Sequence, residues 1–240
     1  MLPGIVIGPG MAAAAAGGTI TFSFEDEYKR VDGSGDVTAS SMSLGTAAAD
    51  RIIVVAYQHG EAGPMTSCTI AGFAATNIVE HIQDSEKAYA SIWAASVTSG
   101  TTGNVVLSGS GISPEKCASL AVYAMYGASI TPETTTTDGS TSGTSVSLNT
   151  NISTGELAIV SVSHQGTQKG STAASVAGFT KDHEVLGGND FLPDVEQAGH
   201  FVAGSHLATS TETPRTFSVT GLNESSTDPV AGCLAVFSPA

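Results

Sequence analysis

The sequence predicts an all-β protein made of two tandem antiparallel β-sandwich domains from an internal duplication, preceded by an extended N-terminal arm. Three observations predict it. The first is repetition. Gln58-His59-Gly60 followed by Ala71-Gly72-Phe73 recurs as His164-Gln165-Gly166 followed by Ala177-Gly178-Phe179, 106 residues apart at both anchors. Each copy opens on an apolar run, 51–56 and 157–162, and closes on another, 120–123 and 234–237. A repeat of this length is one structural unit used twice, and about a hundred residues suit a small sandwich. The second is composition. Apolar residues make up 41% of the 240, as in a folded chain, but charged residues only 12%, about half the usual share. Ser, Thr, Gly and Ala fill the gap, which disfavours long surface helices and favours short strands joined by turns. The third is spacing: apolar runs recur every 8–12 residues or so with polar turns between them, the pattern of a sandwich.

The elements follow in order. Residues 1–18 are rich in Gly, Pro and Ala and are expected to form an extended arm laid against a neighbour or against its own domain. Ile20, Phe22 and Phe24 alternate and mark a first strand. The first sandwich spans 19–130, with strands expected at 37–44, 51–58, 67–71, 77–83, 88–97, 104–108 and 117–126. Gly72 closes a strand and is expected to take a positive φ. Residues 131–144 carry no apolar period and read as a linker, whose Thr134–Thr137 run could be an edge strand. The second sandwich spans 145–240, with strands expected at 145–150, 157–164, 174–177, 182–186, 199–209, 216–220 and 232–237. Its additions over the first copy fall in loops, at 187–194 and 211–215. Only the first copy is expected to have a strand ahead of the repeat. The division of labour this suggests is that the first copy anchors and the second presents.

Charge excludes several partners. Twenty-two acidic residues face eight basic ones, for a net charge of −14. Nucleic acids and anionic membranes both need a basic footprint that this chain lacks. Its apolar stretches run about six to eight residues, short of the roughly 20 of a membrane span. Cys68, Cys117 and Cys233 make an odd count without CxxC spacing, so buried free thiols are expected, although Cys68 and Cys117 could pair if their strands face each other.

No motif dictates chemistry. The six histidines, His59, His81, His164, His183, His200 and His206, show no metal-ligand spacing, although His200 and His206 share a strand face. Asp32, Ser34 and Asp36 match the first three ligands of a calcium loop, but its Gly and its closing Glu are absent. There is no G-x-S-x-G elbow and no P-loop. A Ser/His/acid set could be assembled from parts in any chain this rich in Ser, and only geometry gives it meaning. Trp93, Tyr57, Tyr89, Tyr123 and Tyr126 alternate with small residues and read as core or sheet face before they read as a sugar-binding platform. No metal, no cofactor and no enzymatic activity are expected.

The stretches 48–56, 69–75, Ser91-Ile92-Trp93-Ala94 and Ser119-Leu120-Ala121-Val122-Tyr123 resemble β-sandwich modules found in structural proteins of tailed bacteriophages. The opening 2–10 is similar to the Gly/Pro-rich termini of such virion proteins. The resemblance implies a non-enzymatic, surface-exposed virion protein, with capsid decoration first and tail, collar or fibre attachment second. It implies assembly in the host bacterial cytoplasm, contacts with capsid or tail subunits, a homo-oligomer in the assembly and, as a candidate partner, a host surface glycan. The arm residues Leu2, Pro3, Ile5, Val6, Ile7, Pro9 and Met11 are the expected assembly interface. Asn189, Asp190, Phe191 and Leu192 are the expected ligand loop. A carbohydrate-binding module is the remaining alternative.

Overall fold

The computed structural model describes residues 18–30, 36–60, 63–83, 88–109, 117–166, 172–186, 198–222 and 228–240. The described residues form strands and no helix, so the chain is all-β. The first eight strands are β1 (Thr21–Arg30), β2 (Val37–Ser43), β3 (Ile52–Gly60), β4 (Met65–Ile70), β5 (Phe73–Gln83), β6 (Ala88–Ser96), β7 (Thr102–Gly109) and β8 (Ala118–Tyr126). The next eight are β9 (Thr134–Ser140), β10 (Ser145–Ile152), β11 (Leu157–Gly166), β12 (Ser175–Ala177), β13 (Thr180–Val185), β14 (Ala198–Leu207), β15 (Glu212–Thr220) and β16 (Val230–Phe237).

Strands β1–β8 form one antiparallel sheet in the order β1-β8-β3-β6-β5-β4-β7-β2. It folds over at β5, where Phe73–Ala75 pair with β4 and Thr76–Gln83 with β6. Ile53, Val55, Leu120 and Val122 then pack against Val37, Ile70, Val105 and Leu107. Strands β9–β16 repeat this order as β9-β16-β11-β14-β13 and β12-β15-β10, with no ladder between β12 and β13. Their core holds Val160, Val162, Leu234 and Val236 against Val146, Leu148, Phe217 and Val219.

A third core joins the two halves. Ile52, Val54, Ala56, Ile92, Tyr123 and Met125 meet Leu157, Ile159, Ala203, Cys233, Ala235 and Phe237. The strands are therefore stacked in four layers, the folded-over first sheet supplying two of them, and the two central layers are covered on both faces. This explains why β3, β8 and β16 are apolar without alternation, whereas β2 and β10, with one face in water, alternate. Many of the residues at this central face are Ala, which lets the sheets approach closely.

The structure adjusts three expectations. β1 runs on to Arg30 through Glu25, Asp26 and Glu27, with a bulge between Phe24 and Asp26. The Thr run inside 131–144 is the edge strand β9, which pairs with β16 as β1 pairs with β8. A leading strand is thus not peculiar to the first half. Third, β3 and β11 correspond at 105 residues, not 106. Arg51 N donates to Ala48 O and Arg51 O accepts from Val97 N, and Glu156 repeats both bonds with Ser153 and Ala208. The exchange of Gln-His for His-Gln keeps His59 and His164 in their own sandwich cores while Gln58 and Gln165 lie on the faces shared by the halves. The turn at Ala71-Gly72 has φ of 52° and 84°, a two-residue type I′ hairpin loop whose second position suits glycine.

The two ends of the stack differ. Ala128 bridges Pro239, Ser129 N donates to Ser238 O and Ala240 N to Gly127 O. The start of β1, the crossover to β9 and the end of β16 thus share one end. At the other end lie Arg30, Gly60, Gln83, Ser140, Gly166 and Val230, joined by their ladders to Ala118, Ala88 or Ala198 directly or through neighbours. The expected interface residues Leu2, Pro3, Ile5, Val6, Ile7, Pro9 and Met11, the loop Asn189–Leu192 and the calcium-like residues Asp32 and Ser34 lie outside the described residues.

Candidate functional site at the seam between the halves

Most residues at the seam are apolar, so its polar groups stand out. The sheet geometry selects them. On β13 the register slips between Lys181 and His183. Such a bulge sets two residues against one and re-aims a side chain. Here His183 is buried against the first half and Asp182 beside it accepts from Ser205 Oγ at 2.6 Å. Burial lifts the Asp182 carboxyl above its ordinary range, against the pull of that hydrogen bond.

His183 bridges two strands of the other half. Its Nε2 lies 2.5 Å from Ser119 Oγ on β8, and its Nδ1 lies 2.6 Å from Glu27 Oε2 on β1. The order hydroxyl, imidazole, carboxylate is that of a serine nucleophile, its general base and the acid that orients the base. The exposure runs the opposite way from a hydrolase: Ser119 is 1% exposed, while the Glu27 side chain is 57% exposed. An external acyl substrate would have to reach a hydroxyl buried between two sheets.

The neighbouring polar groups continue along β3. Gln58, directly opposite Ser119 in the ladder, donates from Nε2 to Ser161 Oγ at 2.7 Å. Ser161 Oγ donates to Tyr57 O, and Ser163 Oγ to His59 O. Gln58 Oε1 is buried and receives no hydrogen bond among the described residues. An unmet buried acceptor of this kind costs about 1–3 kcal/mol. Gly199 N donates to Cys117 Sγ at 3.1 Å, which adds a further link between the halves.

A second polar group lies inside the second sandwich. His164 and His200 stand opposite each other on β11 and β14. His200 Nε2 is 2.8 Å from Glu184 Oε1, which also accepts from Ala174 N, and Glu184 Oε2 pairs with Lys181 at 2.5 Å. Burial raises the Glu184 carboxyl, but the hydrogen bonds from His200, Lys181 and Ala174 outweigh it and hold it at about 2. Burial pulls His164 down to about 4. His206 shares the face of His200, as its spacing indicates, but faces Glu212 at 3.3 Å.

Among the described residues no three His, Cys, Asp or Glu side chains are placed to hold a metal. Cys68, Cys117 and Cys233 are free and buried, and burial pushes the Cys68 thiol up to about 12. Trp93, Tyr57, Tyr89 and Tyr123 are buried, and Tyr126 is half-buried with its hydroxyl donating to Thr46 O at 2.8 Å, so the five set out no exposed row of rings for a sugar. No motif or spacing in the sequence groups Glu27, Ser119 and Gln58 with His183. They are far apart in the chain: only the β13 bulge and the stacking of the halves bring Ser119 and Glu27 to His183, and the β3–β8 ladder sets Gln58 opposite Ser119. No family model matches this sequence, and neither the curated proteins nor the solved structures give a significant match to it.

Proposed function

We propose that this chain is a non-enzymatic structural protein of a tailed-phage virion, most simply a capsid decoration, that acts as a rigid two-ended block. The observation that carries this reading is the polarity of the stack. The start of β1, the crossover to β9 and the end of β16 share one end, and strand ends from both halves share the other. β1 starts at the first end, and in this reading the sequence ahead of it, residues 1–18, acts as the anchor on a neighbouring subunit of the capsid or tail. The second end faces outward. Division of labour then runs between ends, not between copies. A net charge of −14 suits a face turned to solvent and away from packaged nucleic acid. Three free buried thiols suit assembly in the bacterial cytoplasm.

The test is truncation. A chain lacking residues 1–18 is expected to keep its β-rich circular dichroism and its thermal midpoint but to drop out of purified particles. Undiminished incorporation of the folded, truncated chain would remove the anchor.

A further inference from the structure

The Ser119–His183–Glu27 relay lacks an external substrate but not an internal one. We propose that Ser119 and Gln58 form an intramolecular ester, a cross-link between β8 and β3 that the chain makes in itself. This rests on the relay and on what stands beside Ser119, and it goes beyond the structural role proposed above.

Gln58 and Ser119 are a directly opposed pair in the antiparallel β3–β8 ladder. Opposed residues have Cβ atoms about 5 Å apart on one face of the sheet, so the Gln58 carboxamide is within reach of Ser119 Oγ. Both side chains face the same buried layer, where Ser119 meets His183 and Gln58 meets Ser161. The hydroxyl has its base at 2.5 Å and the base has its carboxylate at 2.6 Å. Held this way, a neighbouring group reacts as if at very high concentration, and general-base help adds to it. Burial, which disqualifies the serine as a hydrolase nucleophile, favours the cross-link: no water competes for the acyl carbon.

The step balances. Ser119 Oγ attacks Cδ of Gln58 and its proton passes to His183 Nε2. The O–C bond forms, the Cδ–Nε2 bond breaks, and the proton leaves on the nitrogen as ammonia. Neither oxidant nor co-reactant is needed. Glu27 touches neither reacting atom; it is a positioning residue that holds the imidazole and balances its transient charge. The acyl oxygen of Gln58 stays in place as the ester carbonyl, and the hydrogen bond that leaves with the ammonia is the one from Nε2 to Ser161 Oγ.

Intact-mass measurement of the full folded chain decides the matter. The expected mass lies about 17 Da below that of the sequence, the loss of one ammonia. Trypsin cuts after Arg51, Lys87, Lys116 and Lys169, so peptide 52–87 should appear joined to peptide 117–169. Base or hydroxylamine should separate them. Ser119→Ala and His183→Gln should show the full mass. Glu27→Gln should slow the mass loss after refolding by about 100-fold with an unchanged circular dichroism spectrum. The full mass for the folded wild-type chain overturns the proposal. So does an ammonia loss that persists in Ser119→Ala, or a loss without the joined peptide. Incorporation into particles does not require the ester, so this test and the truncation fail separately.

Discussion

At the scale of single residues, Arg51 is the strongest commitment in the first half. It is fully buried, which is rare for an arginine without a carboxylate partner. All its donors are nonetheless used. Nε donates to Val97 O at 2.7 Å, Nη1 to Leu44 O and Gly45 O at 2.9 Å each, and Nη2 to Ser99 O at 2.9 Å and Gly100 O at 2.7 Å. One planar guanidinium therefore ties the turn after β2 to the turn before β7, a task for which its five-donor fork is suited and a lysine is not. Arg51→Lys is expected to leave several carbonyls without donors and to cost about 3 kcal/mol or more in urea unfolding. Faster amide exchange at Leu44 and Val97, whose own amide bonds lie in these turns, should accompany it. A cost under about 1 kcal/mol would mean that water or a rearranged turn replaces the fork. The second half has Glu156 at this position, with its Oε2 accepting from Ser153 N at 2.6 Å. One turn is thus stapled by a cation and the other by an anion.

At the scale of elements, β11, β14 and β13 carry a polar ladder through an apolar sandwich, and it makes the second half sensitive to acid. Burial lowers His164 from 6.5 to about 4 in the folded chain. The unfolded chain takes up the proton first, so stability falls as pH drops from about 6.5 to about 4 and levels off below. Glu184, lowered from 4.5 to about 2 despite its burial, adds a second loss from about 4.5 downward. Between pH 7 and pH 5 only the first acts, and it amounts to about 2 kcal/mol. Urea unfolding at the two pH values should show the wild type losing about that much more than His164→Gln; equal losses would mean that His164 is protonated in the fold. The elements that hold this ladder were legible in the sequence. Periodicity and turn residues mark every repeat strand, and Ala71-Gly72 marks its hairpin. The relay was not legible, because a bulge leaves no trace in apolar periodicity and because Glu27, Ser119 and His183 meet only through long-range stacking. The stacking of the halves, by contrast, is written in the unbroken apolar runs of β3 and β16. A strand without alternation has both faces covered, which already implied that the halves share a core and are not beads on a linker. The one-residue shift between β3 and β11 was hidden by the matching Gly60 and Gly166, since side-chain facing, not identity, sets the correspondence.

At the scale of the whole molecule, the shared central core makes the two sandwiches one folding unit. Its members come from β3, β6 and β8 on one side and from β11, β14 and β16 on the other. Either half alone would expose a broad apolar sheet face, a liability for association. Coupling through such a face makes unfolding of one half unfavourable while the other stands, so a single cooperative transition is expected. The sequence provides its own reporter: Trp93 is the sole tryptophan and is buried in the core of the first sandwich. Leu148 is buried in the core of the second, across the central interface from it. Leu148→Ala removes apolar contacts worth about 2–5 kcal/mol. The fluorescence of Trp93, although in the other sandwich, should report the loss in full, with its urea midpoint falling in step with the midpoint from circular dichroism. A Trp93 transition that stays in place while the circular dichroism curve splits in two would show that the halves fold independently, and that their stacking adds shape without adding cooperativity.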